Sequence, residues 1–150
     1  MHKTTVKKLL HSKANNQEVT LKGWVKTFRA NRFIAVNDGS CLANIQCVLD
    51  FEKMDETVLK KIQTGAALSL QGMLVESQGK GQTVEIQIQQ IAILGESNPE
   101  EYPIQAKKHS LEFLRENAHL RIRTNTFGAI MRVRSSLSFA VHKYFQEQGF

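Results

Sequence analysis

Apolar and polar residues alternate with a period of two in short segments between residues 18 and 93, and this alternation constrains the fold more than any other feature. Glu18–Phe28 has one apolar face, formed by Val19, Leu21, Gly23 and Val25. Arg32–Asn37 and Leu42–Leu49 show the same period. The outer face of the first of these two segments is expected to carry Phe33, Ala35 and Asn37. Asn37-Asp38-Gly39 lies between them and predicts a hairpin turn, because these residue types tolerate a positive φ. Three consecutive antiparallel strands are therefore predicted.

The period then changes to that of a helix, which is predicted for Met54–Thr64 with Gly65 as its C-cap. Alternation returns in Leu68–Leu74 and again in Val84–Ile88, with a parity change at Gln89-Gln90 that predicts a β-bulge or a sharp bend. Three strands, a helix and two strands form the topology of the OB-fold, a small Greek-key barrel of five strands. The predicted fold class is therefore mainly β.

The two ends of the chain differ from this pattern. Val6, Leu9 and Leu10 share one side of a short predicted helix, which either plugs the barrel or forms a basic arm. Both prolines fall in Gly95–Lys108, as is typical of a linker. A helix capped by Ser110, an extended basic segment and a long amphipathic helix from Asn125 or Thr126 to about Gln148 follow. The predicted organisation is a helical extension (1–16), the barrel (17–97), a hinge with a short helix (98–124) and the long helix (125–150).

Composition narrows the classes of function. The net charge of +6 favours an anionic partner, of which nucleic acid is the commonest. No apolar run is long enough to cross a membrane and no secretory signal is recognisable, so a cytoplasmic protein is expected. The two cysteines are expected to be thiols, and the five histidines show no spacing typical of a metal site. The sequence contains no nucleophile elbow, no pair of catalytic carboxylates and no phosphate-binding glycine loop. No catalytic site is therefore predicted.

The predicted outer face combines a ring with base-reading side chains. Phe33 is expected beside Arg29 and Gln46, where a base could stack on the ring while the two polar side chains bind its edge or a phosphate. In the alternative interpretation, Phe33 packs under a loop and its polar neighbours are only solvated. Glu85 is expected nearby, either accepting hydrogen bonds from a base or simply solvated. Possible phosphate contacts are Lys26 and Lys80.

Two segments resemble a known family. They are VTLKGWVKTFRANRFIAVNDGSCLANIQCVL and HLRIRTNTFGAIMRVRSSLSFAVHKYFQEQGF. Both are similar to bacterial asparaginyl-tRNA synthetases, which are class II aminoacyl-tRNA synthetases of the aspartyl, asparaginyl and lysyl subgroup. The whole subgroup shares three features, namely GWV, a basic run and a later glutamine. The segment RTNTFGAIMRVRSSL resembles the asparaginyl members in particular. The resemblance implies an anticodon-binding OB-fold, a hinge and the start of an antiparallel catalytic domain.

The resemblance also implies functions for individual residues. Phe33 would stack on the central anticodon base, Arg29 and Gln46 would be its polar neighbours, and Glu85 would contact a base. The helix from Thr126 to Gln148 would be motif 1 of a homodimer, with an interface formed by Phe127, Ile130, Met131, Leu137, Val141 and Tyr144. The family attaches asparagine to tRNA-Asn, which has the anticodon GUU, with ATP and Mg²⁺.

Motifs 2 and 3, whose arginines hold ATP in this family, are absent from these 150 residues. The chain is therefore expected to bind tRNA, to need no cofactor of its own and to catalyse nothing alone. Three alternatives remain open at this point: a free-standing single-strand binder, an aspartyl-type synthetase fragment, and a barrel that binds peptide.

Overall fold

The computed structural model describes residues 4–79 and 81–150. The chain divides into two compact units, Met1–Ala106 and Lys107–Phe150. The first unit contains the following elements in order: α1 (Val6–Leu10), β1 (Gln17–Arg29), β2 (Phe33–Asn37), β3 (Ile45–Val48), a 3₁₀ turn (Phe51–Lys53), α2 (Glu56–Lys61), β4 (Ala67–Glu76) and β5 (Val84–Gly95). The second contains α3 (Leu111–Glu116), a 3₁₀ turn (Arg121–Arg123) and α4 (Asn125–Glu147).

The five strands of the first unit close into a barrel in the order β1-β2-β3-β5-β4, with β4 pairing back onto β1. All neighbours are antiparallel except β3 and β5, which are parallel over two residue pairs. The predicted OB-fold topology is confirmed. The inward residues of the alternating segments form one buried core, to which every strand contributes side chains.

Helix α1 packs into this core rather than forming a basic arm, since Val6 and Leu9 are both buried. Thr5 caps the helix through the Lys8 N–H at 3.3 Å. The first turn is held by the loop after β2: the Val6 N–H donates to Asp38 Oδ2 at 3.0 Å. Burial of two aliphatic side chains contributes about 1.5–3 kcal/mol each relative to exposure, which explains why so short a helix is stable.

The predicted bulge at Gln89-Gln90 is confirmed by the register of β4 and β5. Gln71 pairs with Gln90, but the next residue, Gly72, pairs with Ile88, so that Gln89 is an extra residue. A Cβ on Gly72 would lie 2.1 Å from the Gln87 carbonyl oxygen, which shows how closely the two strands approach there. A second irregularity in β1 leaves Lys26 as the extra residue opposite β2. Such bulges increase the local bend, as closure of a small barrel requires.

The connection between β2 and β3 differs from the predicted hairpin. It runs over residues 38–44, and of the predicted turn residues only Gly39 has a positive φ, at 79°. Asn37 was expected on the outer face but is 7% exposed. Its amide donates to the carbonyls of Cys41 and Ala43, at 3.2 and 2.9 Å, and so organises the loop. The prediction failed because a buried amide bonded to its own loop has the same sequence pattern as a tight turn.

A tight turn lies instead between β1 and β2. Ala30 and Asn31 both adopt left-handed conformations, with φ of 51° and 49°, and the Arg32 N–H donates to the Arg29 carbonyl at 3.1 Å. Two positive φ angles in a row are the signature of a type I′ turn, whose backbone twist suits a hairpin. The sequence did not reveal it because alanine rarely adopts this conformation.

Two further expectations need correction. Helix α2 is shorter than predicted; it begins after Asp55, whose side chain accepts from the Thr57 N–H at 2.7 Å, and its C-cap is Ile62 rather than Gly65. The segment 119–124, expected to be extended, contains the 3₁₀ turn. Beyond the end of β5, Ser97 Oγ donates to the Thr64 carbonyl at 2.9 Å, within the span predicted for the barrel.

In the second unit, Ser110 caps α3 as expected, accepting from the Phe113 N–H at 3.2 Å. Thr124 caps α4 by accepting from the Phe127 N–H at 3.3 Å, and the helix covers most of the predicted span. The Arg121 guanidinium lies 4.5 Å from the centre of the Phe127 ring, a favourable cation–π distance. Among residues 4–79 and 81–150, no helix is long and apolar enough to cross a membrane.

Candidate nucleic-acid interface

Strand pairing brings Arg29, Phe33 and Gln46 onto one outer face of the barrel. Phe33 pairs with Arg29 on β1, and Ala35, two residues further along the same face, pairs with Gln46 on β3. Directly paired residues project to the same side of a sheet, so these side chains are neighbours. Arg29 is exposed, while Phe33 and Gln46 are half-buried. Phe33 is therefore not enclosed in the core.

The ring of Phe33 lies near a second cation. The Arg32 guanidinium carbon is 5.8 Å from the ring centre, within the distance at which a cation is attracted to an aromatic face. Arg32 is exposed, so its charge can also reach an anionic ligand. Two arginines beside a partly exposed ring combine a stacking platform with phosphate-binding groups.

A cavity of about 240 Å³ opens beside Gln46 on this face. Its described lining combines residues of β1, β2 and β3 with those of the loop between β4 and β5: Arg29, Ala35, Asn44, Gln46, Ser77, Gly79, Gly81 and Gln82. The small side chain of Ala35 leaves the space opposite Gln46. The lining offers both donors and acceptors, as recognition of a base edge requires.

Glu85 lies on β5 beside Gln46 and is 7% exposed. Gln46 Nε2 donates to Glu85 Oε2 at 3.1 Å, and Ser77 Oγ donates to the same oxygen at 2.9 Å. A buried carboxylate needs such donors, because without them its desolvation would be costly. The expectation that Glu85 is simply a solvated strand residue is therefore wrong.

Glu85 also influences the core behind it. Burial raises the pKa of the Cys47 thiol, and the negative charge of Glu85 raises it further. Cys47 is fully buried, so both effects favour the neutral thiol. Cys47 is a core residue and not a reactive group at this site.

The loop between β4 and β5 completes the cavity. Gln82 Oε1 accepts from the Gln46 backbone N–H at 3.3 Å, and the Ser77 N–H donates to the Thr83 carbonyl at 3.0 Å. Ser77 and Gln82 were not predicted as site residues, because only their partners on β3 and β5 reveal their positions. Lys80 lies outside the described residues. Lys26 is half-buried at the β1 bulge and does not line this cavity.

The outer face continues beyond Phe33. Val48 pairs with both Phe33 and Gln87, and Gln87 pairs with Met73, so a row of outward side chains crosses four strands. This row borders a larger cavity of about 680 Å³, which Arg32 and the exposed ring of Phe51 also line. The face thus has room for more than one nucleotide.

The other predicted residues lie on α4. Ile130, Leu137, Val141 and Tyr144 are exposed, while Phe127 and Met131 are half-buried. Within the described part of the chain, no group of three or more His, Cys, Asp or Glu is arranged to hold a metal ion.

Comparison with known proteins identifies the class to which this face belongs. Residues 19–94 match the tRNA anticodon family of OB-fold nucleic acid binding domains, and the chain belongs to that family. The match covers the strands and the loop that build the cavity.

Over nearly its whole length the chain is similar to asparagine–tRNA ligases. It is 50% identical to that of Parabacteroides distasonis (99% of this chain, 32% of the relative) and 49% identical to that of Cytophaga hutchinsonii (100% and 33%). The chain therefore spans about a third of the length of the curated relatives it matches. The resemblance to asparaginyl-tRNA synthetases is confirmed.

Solved structures show the same fold. The asparaginyl-tRNA synthetase of Pyrococcus horikoshii superposes with a TM-score of 0.80 at 21% identity, covering 99% of this chain and 36% of that one. That of Entamoeba histolytica gives 0.74 at 26% identity, covering 91% and 34%. Because the similarity to the ligases continues through α4, a free-standing barrel and a peptide-binding barrel are both disfavoured.

Proposed function

We propose that this chain binds the anticodon of tRNA-Asn, GUU, as the tRNA-recognition part of a cytoplasmic asparagine–tRNA ligase. The observation that carries the proposal is the partly exposed Phe33 ring beside the Gln46 cavity, on a barrel of the tRNA anticodon family. Half of the residues are identical to those of asparagine–tRNA ligases, which favours asparaginyl over aspartyl specificity.

In this proposal the central base of the anticodon stacks on Phe33, and Gln46 binds its pairing edge. Arg29 is exposed beside both and binds the edge or the adjoining phosphate. Stacking on such a ring contributes about 1–3 kcal/mol per base. Lys26 and Lys80 are proposed to contribute positive charge along the backbone, and the net charge of +6 supports association with an anionic partner.

The remaining steps of the ligase reaction are assigned to the rest of the parent protein. ATP and Mg²⁺ are implied for the full enzyme, and we propose that residues outside this chain bind them. We propose that the chain is divided into the barrel domain at residues 17–97, a hinge at 98–124 and the motif 1 helix at 125–150. The exposed apolar residues of α4 support a homodimer interface in the parent protein.

The proposal is tested by measuring how tightly the full 150-residue chain binds anticodon stem-loops. Fluorescence anisotropy at a fixed salt concentration reports the binding. We expect the GUU loop to bind more tightly than loops with each anticodon base changed in turn. Equal binding to any unpaired strand would replace anticodon recognition with general single-strand binding. No binding to any RNA would overturn a nucleic-acid function altogether.

Catalysis is tested separately by ATP–pyrophosphate exchange with asparagine. The proposal assigns this reaction to residues outside the chain, so we expect no exchange above the background without protein. Asparagine-dependent exchange by the 150 residues alone would contradict that assignment.

A further inference from the structure

The amide of Gln46 is held in one orientation by its neighbour. Nε2 lies 3.1 Å from Glu85 Oε2. A carboxylate oxygen can only accept a hydrogen bond, so the NH₂ end of the amide must face it. The orientation of an amide is fixed by its hydrogen-bond partners, and here the partner leaves no choice. The carbonyl, Oε1, is therefore the end that points away from Glu85.

Glu85 is itself held in place. Its side chain is 7% exposed, and Ser77 Oγ donates to the same oxygen at 2.9 Å. If the Gln46 amide turned by half a revolution, Oε1 would face Oε2, and two acceptors would meet where little water can intervene. Such an unmade bond to a buried charged group is among the costliest polar defects.

The consequence concerns which base can bind. Within the described residues, no hydrogen bond to Gln46 Oε1 is present, and Gln46 lines the cavity beside Phe33. On their pairing edges, uracil and guanine present a ring N–H donor next to a carbonyl acceptor. Cytosine and adenine instead present a ring-nitrogen acceptor next to an amino donor. An amide that is free to turn can match either order, but a fixed amide matches only one.

We propose that Glu85 is a positioning residue that fixes the Gln46 amide, so that the cavity accepts a base with an N–H donor on its pairing edge and rejects one with an acceptor nitrogen there. The inference rests on the proposed binding of a base at Phe33. It differs from the expectation that Glu85 itself contacts a base, because Glu85 acts here through the Gln46 amide, which donates to its Oε2.

The test compares stem-loops that carry uracil or cytosine at the central anticodon position. We expect the unmodified chain to bind the uracil loop roughly tenfold or more tightly, the usual effect of one unmatched polar contact. In Glu85→Gln, the new side chain can donate as well as accept, so the Gln46 amide can turn. The ratio should fall toward one, mainly through tighter binding of the cytosine loop.

Glu18→Gln is the matched control, since it removes the same charge from an exposed position on β1. It should shift binding of both loops equally and leave their ratio unchanged. Thermal unfolding of each variant reports whether the barrel is intact. If Glu85→Gln does not fold, Ser77→Ala removes one anchor of the carboxylate and should lower the ratio in the same direction.

A ratio that stays the same in a folded Glu85→Gln protein would overturn the inference, as would an equal loss of affinity for both loops. So would an unmodified chain that binds both loops equally. Failure of the proposed function looks different, because the unmodified chain would then bind no loop at all or would distinguish none of the three anticodon positions.

Discussion

Removal of the Phe33 ring tests the proposed stacking platform directly. Phe33 lies on the outer face of β2, and its neighbour Ile34, not Phe33, fills the core. Phe33→Ala should therefore leave the barrel folded while removing the surface on which a base stacks. The expected loss of binding free energy is about 1–3 kcal/mol, which corresponds to roughly 5- to 150-fold in Kd.

The position of Arg32 refines this estimate. Its guanidinium is 5.8 Å from the ring centre, and such an exposed cation–π contact contributes about 0.5–1 kcal/mol. Phe33→Ala releases Arg32 to bind phosphate, so part of the lost stacking is offset, and we expect a loss near the middle of the range, about 2 kcal/mol. Phe33→Tyr keeps the aromatic face and should bind almost as the unmodified chain does. Phe33→Leu keeps apolar volume without the aromatic face and should fall between the two.

The assay is fluorescence anisotropy with the GUU stem-loop at one salt concentration, since phosphate contacts make affinity depend on salt. Phe139→Ala is the matched control because it removes an exposed ring from α4, outside the barrel. Thermal unfolding separates lost stacking from lost structure. An unchanged Kd in a folded Phe33→Ala protein would refute the stacking argument, as would equal losses in the alanine and tyrosine variants.

Two predictions concern the barrel itself. Gly72→Ala places a Cβ 2.1 Å from the Gln87 carbonyl oxygen, so urea denaturation should show a loss of about 1–3 kcal/mol or more, typical of overpacking. Gly79→Ala, whose Cβ would meet only Ser77 Oγ at 3.7 Å, should be nearly neutral, and equal midpoints for the two variants would contradict the close approach. In thiol labelling, the half-buried Cys41 should react first, whereas Cys47 should react only on unfolding, because it is buried and its raised pKa leaves little thiolate near neutral pH. A Cys41→Ser variant should lose the fast phase, and a fast phase that persists would show that Cys47 is accessible.

The sequence predicted the barrel well because strand periodicity is a local signal. The residues that the alternation assigned to the inner face do face the core. The change of parity at Gln89-Gln90 corresponds to the insertion of one residue opposite Gly72. A bulge shifts every following side chain to the other face, so it must appear in the pattern if the core is to remain apolar. Which residues of β5 face the core could therefore be derived without knowing its partner strands.

The local arrangement of the site could not be derived in the same way. Asn37 and Glu85 are polar residues in strands, and polarity alone placed both in solvent, although each is 7% exposed. Glu85 accepts a hydrogen bond from Gln46, which lies 39 positions earlier in the sequence. No periodic pattern records a contact between two single side chains so far apart in sequence. The positions of Ser77 and Gln82 depend on the same closure and were missed for the same reason.

The site lies where the barrel is least completely paired. Strands β3 and β5 share only the pairs Cys47–Ile86 and Val48–Gln87, so the Gln46 backbone N–H lies just beyond their ladder. The Gln82 side chain accepts from it instead, while Glu85 binds the Gln46 side chain. One segment, residues 77–85, thus both closes the barrel and orients the side chain proposed to bind a base. Substitutions of Ser77, Gln82 or Glu85 should therefore alter base preference before they unfold the protein, because the apolar core is formed by other residues.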